Sequence, residues 1–85
     1  MDERTRRGRI LRLLEARLEA LACASERGPR GELRLELEIA AAVAATKHAI
    51  DLELISAREA SAVWTRVARR HPDAAWCQGG PRLAA

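Results

Sequence analysis

Between Asp2 and Pro72 the chain carries one cluster of helix-breaking residues, Gly28-Pro29-Arg30-Gly31, and apart from the isolated Gly8 nothing else there interrupts a helix. Glycine ends helices by its backbone freedom, and proline by lacking an amide hydrogen and fixing φ. A chain punctuated so sparsely can only be a few long helices joined by tight reversals.

The apolar residues confirm the period. Leu11, Leu14, Leu18 and Leu21 recur at spacings of three, four and three, widened by Ile10 and Leu13 and interrupted only by Arg17. A long arginine stem lies along apolar surface while its head stays in water, so this stripe predicts a helix over about 2–25. The Gly-Pro cluster then turns the chain.

After the turn, Leu33, Leu35, Leu37 and Ile39 alternate with Arg34, Glu36 and Glu38. Two readings of 32–39 follow. Leucine, glutamate and arginine favour helix, continuing into an Ala-rich helix to about residue 55. Strict alternation is also the period of a half-buried strand, which would need a second chain to pair with and so forces a dimer. From Ala40 onward the chain reads as helix either way, apolar on two faces and therefore placed centrally between its neighbours. Its alanines make it the expected oligomer seam.

Ser56-Ala57-Arg58-Glu59 has the form of a capping box, predicting a third helix over 57–71 with the stripe Ala60, Val63, Trp64, Val67 and Ala68. Arg69, Arg70 and His71 suit the negative end of that helix, and Pro72 stops it. Residues 73–78 read as a short turn returning Trp76 to the bundle, and 79–85 as a flexible tail. The expected fold is all-α, a small three-helix bundle in one domain over 1–78. Composition agrees, with eighteen Ala, eleven Leu, fourteen Arg and nine Glu against two Trp and no Phe or Tyr.

The same size and composition limit function. A domain of 85 residues has little surface left for a closed cleft beside its core. The longest apolar run, Ile39 to Ala45, is far short of the roughly 20 residues that span a bilayer, and the Arg-rich start is no secretory signal, so the expected compartment is the cytoplasm. No Gly-rich elbow surrounds Cys23, Cys77, Ser25, Ser56 or Ser61, and the Gly-rich spots at 27–31 and 79–81 do not join a strand to a helix. Cys23, Cys77, His48 and His71 lack the two- to five-residue spacing of local zinc ligands. His48 reads as a partly buried polar residue, Cys77 as a tail thiol, and the expectation is a non-enzymatic chain without cofactor or metal.

Charge is unevenly laid out. Arg4, Arg6, Arg7, Arg9 and Arg12 face only Asp2 and Glu3 in the first twelve residues, the middle of the chain is net acidic, and the third helix is basic again. Two functions fit. The first is a small regulatory, adaptor or accessory protein working by protein contact, as a homodimer or a subunit, with Leu11, Leu14, Leu18, Leu21, Leu35, Ile39, Val43 and Ile50 as core and interface. The alternative is a small DNA- or RNA-binding regulator that contacts phosphates through Arg4, Arg6, Arg7 and Arg9 and a groove through Arg58, Thr65, Arg66 and Arg69. No small-molecule substrate is evident in either.

Overall fold

The computed structural model describes residues 2–27 and 33–77. The Gly28-Pro29-Arg30-Gly31 turn and the tail 79–85 fall outside the described residues. Three α-helices follow in order, α1 (Glu3–Arg27), α2 (Leu33–Asp51) and α3 (Ala57–Arg70), and a 3₁₀ turn at Ala75–Cys77. The protein is an all-α three-helix bundle with no strand among the described residues. Residues 33–39 are helical, because the alternating leucines sit in a sequence of strong helix formers and the described residues hold no strand to pair with them.

The layer order differs from the sequence reading. It is α1, not α2, that packs on both other helices. α1 offers Leu18, Leu21 and Ala22 to the core, while of α2 only Ala42 and Thr46 are buried. The alanines that suggested a central helix are too small to demand a neighbour on each face. Ala40, Ala41 and Ala44 stay in solvent.

α3 supplies the largest share of the core, with Ala60, Val63, Trp64, Val67 and Ala68 all buried as the stripe predicts. Ser56 caps it in extended geometry (φ −92°, ψ 159°), its Oγ accepting from the Glu59 amide at 3.0 Å while Glu59 Oε1 accepts from the Ser56 amide at 2.9 Å. Past Pro72 the 3₁₀ turn brings Trp76 edge-on to Trp64, with ring centroids 5.6 Å apart and planes at 87°. Trp76 Nε1 donates to Ser25 Oγ at 3.1 Å, tying the turn to α1. Cys77 comes with it into the core at 0% exposure, so it is no tail thiol, and burial pushes its pKa up.

α2 stops at Asp51, short of the residue 55 expected. The Leu54 amide bonds the Ala49 carbonyl and the Glu53 amide the Ile50 carbonyl, both at 2.9 Å, with Glu53 at φ 60°. This is a Schellman termination that uses glutamate where glycine is usual, which is why sequence punctuation gave no sign of it. The early stop frees Ile55 to turn inward, 3% exposed, ahead of the Ser56 cap.

Candidate functional site

The face shared by α1 and α3 is held by an ion-pair ladder. Arg66 Nη2 reaches Glu15 Oε1 at 2.7 Å, and Arg70 Nη2 reaches Glu15 Oε2 at 2.9 Å and Glu19 Oε2 at 2.7 Å. At the lower end His71 lies between two carboxylates, Nε2 to Glu19 Oε1 at 2.6 Å and Nδ1 to Glu26 Oε1 at 2.5 Å. At the upper end Arg7 Nη1 donates to Glu59 Oε1 at 3.1 Å, so α1 and α3 run parallel. The partners lie about fifty residues apart in sequence, and only the docking of α3 on α1 brings them together.

These contacts shift the titrations. Hydrogen bonds from Arg66 and then Arg70 hold Glu15 below the usual carboxylate range, and those from Arg70 and His71 do the same for Glu19. The two carboxylates, Glu19 first and then Glu26, raise the pKa of His71. A carboxylate at each ring nitrogen favours the doubly protonated ring, the form that can donate both hydrogen bonds. The Ser56 amide, more than Arg7, keeps Glu59 ionised.

The ladder also gathers a mixed donor set. Glu19, Cys23 and His71, all half-buried, place one carboxylate oxygen, the thiol sulfur and one imidazole nitrogen within 4.8 Å of one another. Glu19 and Cys23 are four residues apart on α1 and so share its face, whereas His71 enters from the end of α3. Spacing among cysteines and histidines alone could not find this group, since one ligand is a carboxylate and another lies 48 positions further on. The usable signal was Glu19, Cys23 and Glu26 at i, i+4 and i+7 of one helix.

The residues expected to form an interface are mostly occupied within the monomer. Leu18 and Leu21 are buried in the core, and Leu11, Leu14, Leu35, Ile39 and Val43 pack against it half-buried. Ile50 is also half-buried. The large apolar side chains left in solvent are others, Leu13, Leu33, Leu37 and Leu52. Beside Leu13 a groove of about 190 Å³ opens between α1 and α2, lined by Ile10, Leu13, Leu14, Ala45, Ala49 and Ile55 among others.

Of the expected nucleic-acid contacts, Arg7 and Arg66 are engaged by Glu59 and Glu15. Arg4, Arg6, Arg9, Arg58, Thr65 and Arg69 are exposed; the Arg7 to Glu59 contact sets Arg58 at the same end of the bundle as the Arg-rich start of α1, whereas Arg66 and Arg69 lie toward the other end. His48 is exposed on α2, not partly buried, because the edge position of that helix leaves its outer side in water. No helix among the described residues is long and apolar enough to cross a membrane. No protein-family model matches the chain, and neither does any curated protein or solved structure.

Proposed function

We propose that the chain is a small non-enzymatic accessory or adaptor protein of the cytoplasm that acts by protein contact, as a homodimer paired antiparallel through the outer face of α2. One observation carries the reading. Leu33, Leu37, Ala40, Ala44, Lys47 and Asp51 are all exposed and recur at spacings of four, three, four, three and four. That is a heptad seam on a helix whose opposite face is already spent on α1. Leu33 and Leu37 are 67% and 61% exposed, a large apolar area for a chain of this size to leave in water. Ala40 and Ala44 let two backbones approach closely.

Charge selects a second copy as the occupant. An antiparallel pair centred near Ala42 places Glu36 of one copy against Lys47 of the other, on the same flank of the seam, and this contact occurs twice about the twofold axis. A parallel pair would set the two Glu36 side chains at the same level and keep Lys47 away from them.

The test is solution mass over a range of protein concentrations, in low and high salt, with and without duplex DNA. A concentration-dependent dimer that ignores DNA, lost in Leu37→Glu while circular dichroism stays helical, supports the reading. A monomer at every concentration overturns it. A salt-sensitive shift onto DNA, abolished by reversing Arg58 and Arg69, replaces it with the nucleic-acid role of the exposed arginines.

A further inference from the structure

We propose that Glu19, Cys23 and His71 form a binding site for a divalent first-row transition ion of zinc(II) type, with Glu26 holding the imidazole in place. The donors are those such an ion takes: a thiolate, an imidazole nitrogen and a carboxylate oxygen. They already lie within 4.8 Å of one another. Tetrahedral zinc separates its ligand atoms by about 3.3–3.6 Å, given metal–donor distances of about 2.0–2.3 Å. His71 Nε2 and Glu19 Oε1 at 2.6 Å therefore need only draw apart by less than about 1 Å while Cys23 closes in, a matter of side-chain rotation.

The outer contacts suit the same purpose. With Nε2 on the metal, His71 Nδ1–H donates to Glu26 Oε1, now at 2.5 Å, which is the carboxylate–histidine–metal arrangement that fixes tautomer and ring orientation. Glu19 Oε2 stays with Arg70 at 2.7 Å, leaving Oε1 for the ion. An ion-pair clip between α1 and α3 needs no thiol, yet Cys23 stands beside the pair. The ion takes Cys23 as thiolate and His71 Nε2 without a proton, so any proton on either atom leaves to solvent on binding. Three protein ligands leave the fourth position to water. Because the ligands come from both helices, the ion would lock the end of α3 and the Trp76 turn onto α1.

The buried Cys77, whose Sγ donates to the Ala74 carbonyl at 3.1 Å, takes no part in this site, which supplies an internal control. The experiment is titration of the reduced, chelator-stripped full chain with cobalt(II), then displacement by zinc(II). Expected are one cobalt per chain, a tetrahedral visible spectrum and a thiolate-to-cobalt charge-transfer band that zinc removes. Cys23→Ser should lose the band and bind at least tenfold more weakly, Cys77→Ala should keep it, and Glu26→Gln should keep the band with affinity about 10- to 100-fold lower. Cys23 is half-buried, so the serine variant is expected to stay folded, and circular dichroism checks this. An octahedral spectrum without the band, a band that survives in Cys23→Ser, or one ion per two chains would overturn the proposal.

Discussion

Three leucines on one helix offer a graded test of the packing. Leu18 is 0% exposed, Leu14 is half-buried against the core and Leu13 is 62% exposed, so truncation to alanine removes the same atoms from three environments. For Leu18→Ala the lost transfer energy and the cavity left behind together cost about 2–5 kcal/mol. Leu14→Ala keeps part of its surface in water in both states and should cost about 1–2 kcal/mol, scaling the value of a fully buried leucine by its burial. For Leu13→Ala the small burial lost is nearly offset by alanine's better helix propensity, giving roughly 0.5 kcal/mol or less. A domain of this length is held by about 4–13 kcal/mol in all, so the first change alone removes a large fraction of the stability. Urea unfolding followed by tryptophan fluorescence is the assay, because the Trp64–Trp76 pair reports α3 and the turn together. Protein concentration must be held fixed, since a dimer would add its own stabilisation. If Leu18→Ala and Leu13→Ala fall within about 1 kcal/mol of each other, the packing of α1 described above is wrong.

Residues away from the core give further checks. Glu53→Gly should raise stability by about 0.5–1 kcal/mol, because glycine adopts the left-handed conformation of the α2 cap without a Cβ penalty, and thermal melts would detect it. Ser56→Ala should cost about 1 kcal/mol in the same assay through loss of the cap on α3. In chelator, urea midpoints followed against pH should pass through a plateau in mildly acid solution. The raised pKa of His71 gives stabilisation that is complete below the ordinary value of about 6.5 and is lost as pH rises through the folded-state value. The lowered pKa values of Glu15 and Glu19 give stabilisation present above the ordinary carboxylate range and lost as pH falls through their folded-state values. His71→Gln should flatten the alkaline side and leave the acid side in place; an unchanged alkaline side would show that His71 is not held as described.

Much of the fold was legible because it follows from local chemistry. The apolar stripes of α1 and α3, the Ser56 capping box, the stop at Pro72 and the return of Trp76 each depend on residues within one or two turns of one another. The end of α2 was not legible, since a glutamate performs a glycine's role there and only the hydrogen bonds of residues 49–54 reveal it. The order of the helices was not legible either. Apolar residues on two sides of α2 announce that it can be covered twice, but alanines stabilise so little by burial that they do not decide which helix sits in the middle.

The sequence by itself determined that this chain would be helical, where α3 would begin and end and α1 begin, and which faces of those two would be apolar, because period and capping are properties of neighbours along the chain; α1 runs on to Arg27, two residues past the expected end. Only the tertiary structure decided that α1 is central, that the exposed seam is Leu33, Leu37, Ala40 and Ala44, and that Glu19, Cys23, Glu26 and His71 converge. These depend on how one helix is rotated and shifted against another, which is set by the whole core packing at once. The ladder from Arg7 to His71 illustrates the reason. All but one of its carboxylates lie on α1 and all but one of its cations on α3 or its C-cap, and their meeting requires α3 to lie parallel to α1 in a single register.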